Sequence, residues 1–354
     1  MTQAPQEPEA PQGITPAALA KKLIFPVLLV GGLIIAACLL LDMRHLGRLL
    51  LTAKLWPLAA LLVCHIASTY LHALRMHVLL RRATDFGTVF HANNICNMVN
   101  SVLPLRAGEF AMALIISRKA GVGGAKVLSN ILVDRLLALI SILAIFLAVL
   151  PGFAPHGAAA VSLASNWIYY ALAFGGIALA MLLVTRLERQ LLVLVRALLV
   201  RLPVGSPQSK ERLLDRVQDL ISGLRVLFHL RTSAPVFLLS LVAWGCIIAL
   251  NYFSMLAVIE TPSATAAVFV TFLTIVGIML VATPSGVGTV HGASVLALSM
   301  FGVPAEQALA SAILSHALVT VTNISLGAVS AHKTGFRMGQ VLGSQKARQT
   351  APKA

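Results

Sequence analysis

Between Asn93 and Arg135 the chain is apolar enough to enter a bilayer. Yet this stretch carries Arg106, Glu109, Asp134 and Arg135, and Pro104 and Gly108 interrupt it. A charged side chain at the bilayer centre costs ~2.5–3.5 kcal/mol on insertion scales, so such groups face protein or water and serve a purpose there. A second stretch, Gly277 to Asn323, repeats the layout. Pro284 and Gly288 follow Pro104 and Gly108 by 180 residues, and Gly302-Val303 follows Gly121-Val122 by 181. Two apolar segments interrupted by Pro and Gly in corresponding halves of one chain point to a transporter-type site.

These features set the fold class. The chain reads as an all-α, polytopic membrane protein with about six full spans plus two re-entrant or short helical hairpins in an inverted-repeat architecture. Only 11% of the 354 residues are charged and 58% are hydrophobic, which excludes an ordinary soluble domain. The alternation of a β-barrel is missing. The net charge of +15 fits cytoplasmic loops and anionic headgroups better than nucleic acid, because the basic residues flank apolar runs without a recognition motif. Cys38, Cys64, Cys96 and Cys246 lie in apolar segments with no metal-binding spacing, and read as small buried hydrophobes.

Taken in order, residues 1–20 read as a disordered tail and 21–335 as one transmembrane domain. Its first half covers about 23–150. Spans are expected at Leu23–Leu41, Leu55–Leu74 and Val127–Leu150, with Arg75, Arg81 and Arg82 as cytoplasmic flanks. The basic loop Asp42–Lys54 fits poorly on the outer side where this order puts it. Val89–Leu103 and Leu105–Ser117 each fall short of the ~20 residues a crossing needs, so they form the first hairpin, with its tip at Pro104–Gly108. A span at Asn166–Thr185 leads to the strongly basic segment 186–234, read as a cytoplasmic amphipathic helix. The second half covers about 235–330: a span at Pro235–Ile259, a hairpin of Thr265–Ala282 and Gly286–Met300, and a last span at Glu306–Ser330. Residues 336–354 form a basic cytoplasmic tail.

The candidate site residues are the polar groups of the interrupted stretches. Asn93, Asn97 and Asn100 share one helical face and form either interhelical hydrogen bonds or a polar cavity wall. Arg106 either pairs with Glu109 or binds an anionic headgroup, which its planar fork suits. Asp134 needs a partner, and Arg106, Arg135 and His316 are the candidates. Ser285, Gly286 and Gly288 lie in a turn whose backbone amides could hold an anion. His291 and His316 are membrane-embedded histidines, and His316 shares a face with Thr320 and Asn323. His316 reads as a satisfied core histidine or as a proton-coupling group. His65 and His72 lack a third metal ligand.

The segments Asn97–Glu109 (NMVNSVLPLRAGE), Gly121-Val122 with Val133-Asp134-Arg135, and Thr283–Gly292 (TPSGVGTVHG) with Gly302-Val303 resemble the lysylphosphatidylglycerol synthase transmembrane-region family, also called flippase-like membrane proteins. The resemblance covers roughly residues 20–335. It implies a bacterial inner-membrane protein that moves or handles lipids, in the form without the fused aminoacyl transferase domain. Family members often carry an acidic residue near His291, and an arginine where this chain has His316 or Met112.

Together these readings predict an integral inner-membrane lipid translocase or lipid-handling protein. The alternative is a non-transporting membrane partner that recruits or regulates a lipid-modifying enzyme through segment 186–234. A proton-coupled solute carrier is a third reading. No catalytic motif is present, so no enzymatic activity, cofactor or metal is expected. The expected partners are membrane lipids with anionic headgroups and, on the second reading, a lipid-biosynthesis enzyme. Nucleic acid is not among them, and a homo-oligomer is compatible with either reading. Both termini are expected in the cytoplasm.

Overall fold

The computed structural model describes residues 41–103, 107–121, 123–153, 230–280 and 283–336, with isolated positions at 31–32 and 38–39 and between 165 and 197. The expected tail 1–20, the spans 23–41 and 166–185, most of segment 186–234 and almost all of the tail 336–354 fall outside these residues. Among the described residues the fold is all-helical: α1 (Met43–Leu51), α2 (Leu55–Leu79), α3 (Phe86–Val102), α4 (Gly108–Ala120), α5 (Gly124–Val149), α6 (Leu230–Leu256), α7 (Ala264–Leu280), α8 (Thr289–Ser299) and α9 (Ala305–Thr334). Among the described residues four helices, α2, α5, α6 and α9, are long and apolar enough to cross a membrane. The other helices are shorter. The 17 residues of α3 rise only ~25 Å, against a hydrocarbon core of ~30 Å.

Local chemistry sets the breaks. Leu103 is extended (φ −102°, ψ 140°) because Pro104 follows it and disfavours a helical residue before it. Gly121 (φ 65°) and Gly335 (φ 66°) end α4 and α9 in the left-handed conformation that glycine adopts at helix C-termini. Asp85 caps α3, its carboxylate accepting the Thr88 amide at 2.6 Å and the Thr88 hydroxyl at 2.8 Å. The basic stretch 42–54 is not a plain loop. Asp42 caps α1, whose Leu46 is buried while Arg44 and Met43 face outward, and α1 lies against α9.

The most extensive packing joins α2 to α6. These helices run antiparallel: Trp56 meets Phe253, His72 meets Trp244, Arg75 meets Ser240, and Leu79 clusters with Val236. Contacts then pair up between the halves. The first hairpin, α3–α4, packs through α3 on α9, and the second, α7–α8, packs through α7 on α5. Ile95, Val99, Ala107 and Ala111 make one seam, with Ala331 against it. Phe146, Phe153, Phe269 and Phe301 make the other. The turn Pro284–Gly286 of the second hairpin reaches α3 of the first.

Candidate functional site

Where the two hairpins meet, a cavity of about 390 Å³ opens between both halves. From α2 it takes His65, Ser68, Thr69 and His72, which recur at helical spacing and so share one face. From α3 come Asn97, Asn100 and Ser101, and from α5 comes Arg135. Asn251 of α6 and Thr274 of α7 add to the wall, as do Thr283, Ser285 and Gly286 of the second turn. Ser315, His316, Thr320 and Asn323 of α9 complete it. Aliphatic side chains, among them Leu103, Ile247 and Val319, fill the spaces between these polar groups. Polar groups gathered between apolar helices need a reason, since each is costly in hydrocarbon unless it has a partner.

In the first hairpin, Asn100 joins the two arms. Its Oδ1 accepts the Gly108 amide at 2.8 Å, and its Nδ2 donates to Glu109 at 3.3 Å. The amide that opens α4 therefore finds an acceptor on α3. Gly108 is required by closeness, because a Cβ there would overlap the Cys96 carbonyl oxygen and the Asn100 amide. Glu109 also faces Arg135 at 3.6 Å, a loose ion pair, and Arg135 Nε is buried with no hydrogen-bond partner.

The second turn is held in a conformation that L-residues avoid. Ser285 has φ 55° and is followed by Gly286 (75°) and Gly288 (81°). A left-handed non-glycine residue costs ~1–2 kcal/mol, and contacts to α9 offset this. His316 Nε2 lies 3.0 Å from the Ser285 carbonyl and 3.2 Å from its hydroxyl, and Thr320 Oγ1 lies 3.2 Å from that hydroxyl. A carbonyl only accepts, so neutral His316 carries its proton on Nε2 in this contact. Thr283 and Thr289 close the turn through their hydroxyls at 3.2 Å. The Gly288 amide donates to His291 Nδ1 at 3.3 Å, and the His291 and His316 rings touch, with centroids 5.0 Å apart.

Asp134 has a different partner from those the sequence suggested. Arg75 Nε and Nη2 donate to its two carboxylate oxygens at 2.6 and 2.9 Å, and Arg75 Nη1 donates to Ser240 at 3.1 Å. Arg75 is 0% exposed and Asp134 is 7% exposed. Arg75 was read as a cytoplasmic flank, but α2 runs on to Leu79 and carries it inside. The pair ties α2, α5 and α6 together, and neither member lines the cavity.

Of the residues expected at the site, Asn97, Asn100, Arg135, Ser285, Gly286 and His316 line one cavity. Glu109, Gly288 and His291 sit behind that wall, and Asp134 belongs to the buried pair. Arg106 lies outside the described residues. Asn93 makes only a long 3.5 Å contact to the Thr69 carbonyl. Sequence reasoning set aside His65 and His72 as metal ligands and missed them as lining. His65 Nε2 lies 3.1 Å from Asn323 Oδ1, and His72 packs edge-on to Trp244. Their seven-residue spacing with Ser68 and Thr69 between them was the available signal.

No curated protein and no solved structure matches the chain significantly. The family model described as the lysylphosphatidylglycerol synthase TM region matches residues 23–327. A multi-pass membrane chain with two interrupted hairpins around a polar cavity therefore belongs to the lysylphosphatidylglycerol synthase transmembrane-region family.

Proposed function

We propose that this protein is a lipid translocase, or lipid-handling protein, of the bacterial inner membrane, and that the cavity between its hairpins receives a lipid headgroup. Family membership places it in lipid metabolism or translocation. The observation that carries the finer reading is the cavity itself, lined by polar groups from both halves and, among the described residues, holding one formally charged side chain, Arg135. An anionic headgroup would compete with Glu109 for that guanidinium, whose present ion pair is long at 3.6 Å. The antiparallel α2 and α6 support an inverted repeat, in which rocking of one half against the other exposes the cavity to either leaflet. The proposed role is movement or presentation of lipid, not catalysis.

Purified protein in liposomes containing a fluorescent phospholipid tests this by quenching from outside. Wild type should carry lipid between leaflets above the rate of empty liposomes. Arg135→Gln should lower that rate by about tenfold, the loss of one ~1.4 kcal/mol contact, with helix content unchanged. Absence of exchange for every lipid class tried would favour the partner-protein reading and direct cross-linking to segment 186–234.

A further inference from the structure

We propose that the headgroup taken by this cavity is anionic and rich in hydroxyls, a glycerol or sugar phosphodiester, and that cationic headgroups are excluded from it. This rests on the reading of the cavity as a headgroup site. The argument is chemical. A headgroup ammonium is matched in a low-dielectric site by a carboxylate. Among the described residues no aspartate or glutamate lines the cavity, and the one formal charge they bring to it is that of Arg135. Glu109, the carboxylate named above, is not among the lining residues and faces Arg135 and Asn100. A trimethylammonium group is matched by a cage of Trp, Tyr or Phe faces, and none of these lines the cavity either.

The other polar groups of the wall are amide, hydroxyl and imidazole, from residues such as Asn97, Asn323, Thr274 and Ser315, set among aliphatic side chains such as Leu103, Ile247 and Val319. Amides and hydroxyls offer both donors and acceptors, the pattern a hydroxyl group also presents. Charging any of the lining histidines adds positive charge and strengthens the exclusion of cations.

The test compares three fluorescent lipids with identical acyl chains in the same proteoliposomes: phosphatidylglycerol, its lysyl ester and phosphatidylcholine. Wild type should exchange phosphatidylglycerol at least about tenfold faster than the lysyl ester, since like charges face each other in the latter. Phosphatidylcholine should also be slow. Asn97→Asp adds a carboxylate to the wall at nearly constant volume and should raise the rate ratio of lysyl ester to phosphatidylglycerol by about tenfold. Equal or faster exchange of the lysyl ester by wild type overturns the proposal while leaving the translocase reading intact. Exchange of none of the three above empty liposomes overturns both.

Discussion

At the residue scale, the chain keeps its charges apart by task. Arg75 and Asp134 form a closed pair with two short hydrogen bonds and no cavity exposure. Removing one member of such a pair leaves an uncompensated buried charge, a cost of ~3–5 kcal/mol. Arg75→Ala should therefore lower the thermal stability of the detergent-solubilised protein strongly, and Arg75→Leu combined with Asp134→Leu should be less destabilised than either single change. An additive double variant would argue against a pair. Arg135, by contrast, has a long ion pair and lines the cavity, so Arg135→Gln should cost less stability than Arg75→Ala in the same thermal-unfolding measurement. Sequence spacing identified Asp134 as needing a partner but could not supply it. Arg75 is 59 residues away, and its place after an apolar run reads equally well as a membrane flank. Only the length of α2 separates the two readings, and helix ends are where pattern reasoning is weakest.

At the element scale, the interrupted hairpins were legible because their breaks are written in Pro and Gly. The four helices of the hairpins begin and end within three residues of expectation, whereas α2 and α6 depart from it by five at one end. The contacts that make the hairpins a site were not legible, because they join α2, α6 and α9 across the chain and no local signal records such a meeting. The cap of α3 illustrates a purely local device. The Thr88 amide first, then the Thr88 hydroxyl, hold the Asp85 carboxyl below the usual carboxylate range. The folded value lies below the reference value of 3.8, so the cap's stabilisation is present above that pH and is lost as pH falls through the folded value. Asp85→Ala should destabilise the protein by ~1 kcal/mol at pH 7, with the difference shrinking in acid. A gap unchanged between pH 7 and pH 3 would show that the carboxylate is not the cap. The turn before it carries Arg81 and Arg82 at φ 52° and 56°. Glycine adopts that region freely, so Arg82→Gly should raise the melting temperature, an increment of ~1 kcal/mol at most.

At the scale of the whole molecule, the two halves touch through matched pairs: α2 against α6, α3 against α9, α7 against α5. The turn between α2 and α3 therefore lies at the opposite end of the α2–α6 pair from the turn after α6. Cysteines at Ala83 and Ser263 should react with an impermeant thiol reagent from opposite faces of a sealed vesicle. The broadest packing of a hairpin on the other half is the seam between α3 and α9, and this seam is expected to part when the cavity opens to one leaflet. Asn94 Nδ2 donates to Ser330 Oγ at 3.3 Å across it, and Gly327 lets α9 come so close that a Cβ there would overlap the Met98 side chain. In a background with the four native cysteines replaced, Asn94→Cys and Ser330→Cys can be bridged by a short reducible cross-linker. Bridging should reduce lipid exchange to the rate of empty liposomes, and reduction should restore it, because packed interfaces switch between discrete arrangements rather than stretch. Full exchange through the bridged protein would place the moving seam elsewhere, and the α7–α5 pair is the next to be locked.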